Sequence, residues 1–201
     1  MKRTMLFVCC AFALMNGLNA QLRLGLKAGT NLSYFRDISA SDESFRRTLL
    51  VGPLGGFCMQ VPVFKQWYFH SELLYIEKHL GLSYPSLDSE RTIEKETLGY
   101  VALPVFMEWK WAEKLSCGAG AEFSYAALDF GKRFILHDQA FDVALLGQIR
   151  YQFAERMDAT FRYTHGLNPS SEVLYADYNG VEVERTQWLL ASWQLSLGWW
   201  L

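Results

Sequence analysis

The sequence predicts an all-β protein, an eight-stranded antiparallel up-and-down transmembrane β-barrel with four long extracellular loops and short periplasmic turns. Three observations carry that expectation. First, the stretch Thr97–Ala127 alternates with period two. Val101, Leu103, Val105, Met107, Trp109 and Trp111 fall on one face, and Tyr100, Ala102, Pro104, Phe106, Glu108 and Lys110 on the other. After the polar turn Ala112–Lys114 the alternation resumes, with Leu115, Cys117, Ala119, Ala121, Phe123 and Tyr125 opposite Ser116, Gly118, Gly120, Glu122 and Ser124. Successive strand side chains point to opposite faces, so this is a hairpin with one apolar face. Second, the connections between such segments alternate long and short along the whole chain. Third, aromatic residues gather at matching strand ends. A soluble sandwich would bury the apolar face and wet the polar one, whereas a membrane barrel turns the apolar face to lipid. A sandwich has no reason to alternate its loop lengths strictly.

The 201 residues suffice for one small barrel. Seven Trp, ten Tyr and fourteen Phe make the chain rich in aromatics. Overall hydropathy is close to neutral, and beyond the N-terminus no run approaches the ~20 apolar residues of a spanning helix. Residues 1–20 read as a signal peptide. Lys2 and Arg3 are followed by the apolar run Met5–Met15 and a small-residue junction, Leu18-Asn19-Ala20 before Gln21. Cys9 and Cys10 sit in the middle of that run, not at its end, which argues against a lipid-anchored start. Residues 21–201 form the barrel domain. The chain carries 19 Lys and Arg against 21 Asp and Glu. Cleavage would remove two bases and no acid, leaving about −4, which offers no electrostatic case for nucleic acid. Cys58 and Cys117 then remain; they fall on opposite faces of their strands, so both are expected to be free thiols.

Taken in order, the first mature strand is Leu22–Tyr34, with Leu22, Leu24, Leu26, Ala28 and Leu32 outward. A polar loop, Phe35–Arg47, leads to strand two, Leu49–Val63, where Gly52, Gly55 and Gly56 permit curvature or a bulge. Lys65 and Gln66 make a short turn into strand three, Trp67–His79. Gly81–Glu94 reads as a second long loop. Strands four and five are the hairpin already described, and Asp129–Gln139 is the third loop. Phe141–Phe153 is strand six, Ala154-Glu155-Arg156 a tight turn, and Met157–Leu167 strand seven. Asn168–Glu184 reads as the longest loop. Arg185–Leu201 is strand eight, with Leu189, Ala191, Trp193, Leu195, Leu197, Trp199 and Leu201 on its apolar face. Trp67, Trp109, Trp111, Phe153 and Trp199 mark the short-turn end, and Tyr34, Tyr125 and Tyr163 lie nearer the long loops, as two interfacial belts would.

The predicted inner face carries the bases Arg23, Lys27, Lys78, Lys110, Arg150 and Arg162. Its acids are Glu72, Glu108, Glu122, Asp142 and Asp158, joined by His70. The near-balance predicts a structural lumen network in which every buried charge is paired, since an unpaired one costs several kcal/mol. Eight strands leave an interior that side chains can fill, so a plugged barrel is expected and not a porin-like channel. Pro104 sits mid-strand where a closed barrel has no free edge, and a local bulge is expected there.

Several segments together resemble the PorT-like outer-membrane β-barrel proteins of the Bacteroidetes. They are Leu24-Gly25-Leu26-Lys27-Ala28-Gly29-Thr30-Asn31, Glu72-Leu73-Leu74-Tyr75, and Leu98–Pro104 with its Leu-Pro pair. Gly118 with Gly120, Phe141-Asp142, Arg162-Tyr163 and Gly166-Leu167 continue the match. The resemblance spans essentially the whole mature chain, and the family also carries the mid-strand proline. One departure is the final Leu201, after Trp199 and Trp200, where such barrels usually end in an aromatic residue. The resemblance implies an outer-membrane location. The founding member is tied to protein secretion, a role that does not pass automatically to every relative.

Four histidines, His70, His79, His137 and His165, show no converging metal-ligand spacing. No catalytic, metal or cofactor site is expected. Two function classes stand. One is a non-enzymatic barrel whose loops bind a partner or serve envelope structure or secretion. The other is an outer-membrane lipid-modifying enzyme, for which His165 with Ser170 and Ser171 would be the starting point; a small-solute porin is a third. Expected partners are outer-membrane lipid and lipopolysaccharide and other envelope proteins. Arg36, Arg46 and Arg47 could meet lipopolysaccharide phosphates, but Asp37, Asp42 and Glu43 lie among them.

Overall fold

A computed structural model of the chain describes residues 22–37, 46–85, 91–129, 141–176 and 182–201. Residues 1–20, expected to be a signal peptide, lie outside the described residues, as do Asp42, Glu43 and His137. Eight strands form: β1 Arg23–Asp37, β2 Arg46–Phe64, β3 Trp67–Pro85, β4 Arg91–Lys110, β5 Leu115–Asp129, β6 Phe141–Ala154, β7 Met157–Ala176 and β8 Glu182–Trp200. Each pairs antiparallel with its chain neighbour, and β1 pairs β8 from Gly25↔Trp200 to Asp37↔Trp188, closing the barrel. Closure leaves no sheet edge, which is what a strand protein in lipid requires.

The alternation read from the sequence maps onto outside and inside. Leu24, Phe57, Leu73, Leu103, Leu145, Ile149, Leu195 and Leu197 are exposed, while Lys27, Glu72, Glu108, Asp142 and Arg162 are buried. A contiguous apolar girdle of this size on the outer wall is what lipid covers. Strand eight departs in one place: Leu189 and Ala191 are buried, not outward-exposed. Ala191 lies in register between Tyr34 and His165, whose larger side chains cover so small a residue. Trp67 and Trp109 stack at 6.3 Å beside the short turn, where Trp109 Nε1 donates to Gln66 Oε1 at 3.2 Å. Higher on the wall Trp193 meets Phe161 at 5.3 Å and Tyr163 at 4.4 Å. The 65–66 turn is tight enough to put Lys65 at φ 46°.

Two expected loops are largely strand. The segment expected as the second loop pairs across to Pro85↔Arg91, and that expected as the fourth pairs to Ala176↔Glu182. Arg36, Arg46 and Arg47, read as loop residues, also belong to β1 and β2. The reason is physical. Beyond the membrane both faces of a paired ribbon meet water, so the apolar alternation stops while the backbone ladder continues. The ladder itself is uneven. β4, at 20 residues, rises roughly 50 Å at ordinary barrel tilt, against an apolar band of about 25 Å. β7 matches it in length, whereas β5 and β6 have 15 and 14 residues. The β3–β4 and β7–β8 hairpins therefore stand well beyond the band, on either side of a lower β5–β6 wall.

Pro104 makes no bulge. It pairs with Glu122 of β5 in unbroken register. On the β3 side the pairs flanking it, Ser71↔Val105 and Leu74↔Ala102, keep one register with a gap between them. A missing N–H removes a ladder bond but demands no extra residue. The pairing of β2 with β3 shifts register instead in two places, between Pro62 and Phe64 at the turn and between Leu49 and Leu54, around Gly52 and Pro53. A Cβ on Gly52 would lie 2.1 Å from the Glu77 carbonyl oxygen, so only glycine permits that approach. Asn31 Nδ2, in register with Gly52, donates to the same carbonyl at 3.4 Å.

Candidate functional site

Among the described residues the lumen gathers the polar chemistry, and it is arranged in storeys. In the lower storey, toward the short turns, Glu72 of β3 receives Lys27 Nζ of β1 at 2.5 Å on Oε1. Its Oε2 receives an Nη of Arg162 of β7 at 2.8 Å. Because β3 and β7 face each other across an eight-stranded ring, this pairing crosses the lumen. Arg162 also donates through Nε and Nη2 to Gln148 Oε1 at 3.0 and 2.7 Å. Gln148 Nε2 donates to Glu108 Oε2 at 3.2 Å, and the other oxygen of Glu108 receives Arg150. Arg150 reaches on to Asp158 Oδ2 at 3.5 Å, and Trp200 Nε1 donates to that oxygen at 2.5 Å. One continuous chain of charge-assisted hydrogen bonds thus links β1, β3, β4, β6, β7 and β8.

Two aromatic residues support it. His70 stacks on Phe106 at 4.9 Å, and the Arg162 guanidinium lies 5.2 Å from that ring. Arg23 and Arg150 lie 5.3 and 5.5 Å from the Trp200 ring, a cation–π geometry. His70 Nε2 stands 3.5 Å from Glu108 Oε2, near enough for an ion pair but without hydrogen-bond geometry. Trp200 belongs to this site although the sequence reading gave it no inner role. The alternation contains the signal, since an outward Trp199 obliges Trp200 to point in.

Further along, Lys78 pairs with Asp142 at 3.9 Å and lies 4.3 Å from the Tyr100 ring. Between the two storeys the interior is apolar. Leu54, Leu74, Ile76 and Ala102 form a buried cluster there. Glu122 is the exception to the expectation that every buried charge is paired. It is fully buried, and among the described residues neither carboxylate oxygen has a partner. Its register neighbours are Pro104 and Ala144; Arg162 and Lys78 pair with Glu72 and Asp142, although Arg162 Nη1 has no hydrogen-bond partner among the described residues. Arg23 and Lys110, at the lower rim, also lack an ion pair among the described residues and are only half-buried.

Chemically this arrangement holds the wall together and fills the bore. Cys58 and Cys117 are free thiols, Cys58 buried inside and Cys117 half-buried on the outer face. Among the described residues no group of three or more His, Cys, Asp and Glu is placed to hold a metal ion. His165 Nδ1 lies 3.2 Å from Tyr163 Oη, and Ser170 and Ser171 are strand residues of β7.

Residues 16–172 match the family model for the outer membrane protein beta-barrel domain. Among solved structures the chain is similar to the outer membrane protein OprG from Pseudomonas aeruginosa, at 8% identity and a TM-score of 0.48, covering 90% of this chain and 94% of that one. It is also similar to Ail, the attachment invasion locus protein of Yersinia pestis, at 8% identity and a TM-score of 0.43, covering 89% and 98%. No curated protein matches the sequence.

Proposed function

We propose that this chain, which belongs to the outer membrane protein beta-barrel domain family, is a plugged, non-enzymatic outer-membrane barrel that works through its extracellular end. The observation that carries the reading is the lumen network. The Glu72–Arg162 pair crosses the bore, and Glu108 with Arg150 and Gln148 fills the space below. With the bore filled by side chains that hold each other, the parts left to act are the ribbons that stand above the membrane. By the family's rule of short periplasmic turns, those are the β3–β4 and β7–β8 hairpins, with the segments that cap them.

Within that family the chain reads as PorT-like, and its ribbons are docking elements for another envelope protein, in secretion or in envelope structure. The N-terminal 20 residues export it. Outer-membrane lipid and lipopolysaccharide surround its wall. The test is to trim each ribbon to the membrane edge, replacing 83–93 or 172–187 by a two-residue turn, and to compare the envelope proteins that co-purify. Loss of a specific partner from a trimmed barrel that still runs heat-modifiable on a gel is the expected result. An altered lipid A mass on deletion of the gene, with no ribbon-dependent partner, would instead favour a lipid-modifying enzyme.

A further inference from the structure

At the short-turn end the inner faces of three strands each bring a base: Arg23 on β1, Lys110 on β4 and Arg150, followed by Gln152, on β6. The turn at 111–114 adds Lys114. All four line a single recess at the mouth of the lumen, a cavity of about 40 Å³, and none of the residues that line it is acidic. The charge is unbalanced. Arg150 is engaged by Glu108 and Asp158, but Arg23, Lys110 and Lys114 have no ion pair among the described residues. Arg23 rests over the Trp200 ring. The turn acids Glu113 and Glu155 line a neighbouring recess that shares Lys114 and Gln152 with this one.

Three bases converging without a counter-charge repel one another, and the arrangement is favourable only where an anion or bulk water screens them. The recess also has neutral donors. Tyr68 contributes a hydroxyl, while the Ser116 hydroxyl accepts from Arg150 Nε at 3.4 Å. Gln60, also in the lining, is 3% exposed, and its Oε1 has no hydrogen-bond partner. A side-chain amide can present either its oxygen or its NH2, so this group is available to a ligand that enters. At about 40 Å³, against the ~10–15 Å³ that a single water needs, the recess has room for a small oxyanion.

We propose that the periplasmic mouth of the barrel is a phosphate-binding site, formed by Arg23, Lys110 and Lys114 around the recess, with Gln60 and Tyr68 completing it. A dianionic phosphate suits three unpaired bases better than a singly charged carboxylate does. The phosphate has two possible sources. The mouth opens inside the Trp67–Trp109–Trp111–Trp199 belt, at the level of lipid headgroups, and it also faces the periplasm. A phospholipid headgroup and a soluble phosphate compound present the same chemistry there. The site is independent of what the extracellular ribbons bind, so its failure leaves that reading untouched.

The experiment is a titration of the full chain, folded in non-ionic detergent at low ionic strength, with inorganic phosphate. Calorimetry and tryptophan emission are the readouts, since Trp200 lies under Arg23. Saturable binding is expected, weakened at least ~10-fold in Arg23→Gln/Lys110→Gln, as loss of charge-assisted hydrogen bonds implies. Lys114→Gln, in an exposed turn that should not perturb folding, is expected to weaken it by about threefold, and Glu113→Gln should not weaken it. No saturable response, an equal response to chloride at matched ionic strength, or unchanged affinity in both base variants would overturn the proposal. Nanodiscs separate the sources. If phosphatidic acid discs abolish the phosphate response and phosphatidylcholine discs do not, the headgroup is the ligand; equal responses in both assign the site to a soluble phosphate.

Discussion

Glu72 and Glu122 are both glutamates buried inside the same barrel, yet substitution should affect them in opposite ways. Glu72 holds Lys27 and Arg162 at once, so Glu72→Gln leaves two buried cations under-compensated. Removing one partner of a buried pair typically costs about 3–5 kcal/mol. Glu122 has no partner among the described residues to lose, and its register neighbours are Pro104 and Ala144. Glu122→Gln or Glu122→Met should therefore be neutral or stabilising, by up to ~2 kcal/mol. Urea unfolding in detergent micelles, followed by the heat-modifiable band, checks both. A loss of stability in the Glu122 variants would mean that an unseen cation or water holds that carboxylate. The inner position of both residues was legible from period two. Which of them would be paired was not, because pairing depends on what lies across the lumen, and residues such as Glu72 and Arg162 are 90 positions apart in the chain.

The strands show the same division at the next scale. β1 and β8 meet closely where Gly29 faces Ser196: a Cβ on Gly29 would lie 2.1 Å from the Leu195 carbonyl oxygen. On Gly147 of β6 it would meet nothing within 4 Å. Gly29→Ala should force the closing seam apart, with a loss of about 1–3 kcal/mol and a smaller yield of heat-resistant barrel. Gly147→Ala should be neutral or gain up to ~1 kcal/mol. Refolding yield from urea into detergent distinguishes the two. The spanning cores of all eight strands were readable because lipid on one side and polar groups on the other enforce alternation. The outer parts of β3, β4, β7 and β8 were not, because in water neither face is selected for being apolar and the ladder leaves no trace in the side chains. The in-register Pro104 belongs here too. Its missing donor was visible in the sequence, whereas the neighbour's tolerance of a gap was not.

For the whole molecule the lumen network predicts electrical silence. In a planar bilayer the purified barrel should show no single-channel steps, and steps should appear when Glu72→Ala and Arg162→Ala are combined, since that change removes the pair spanning the bore. Well-resolved steps from the unaltered protein would revive the porin reading. The amino-acid sequence alone determined the number of strands, which face meets lipid, which end carries the short turns, and the identity of the inner charges, because each follows from a local period or a local turn. Only the tertiary structure decided which charges meet, that Glu122 meets none among the described residues, that Trp200 props Arg23 and Arg150, that four bases share one recess at the short-turn end, and how far the ribbons rise. Those are distances across a closed ring. Ring closure brings together residues whose separation along the chain carries no information about their separation in space.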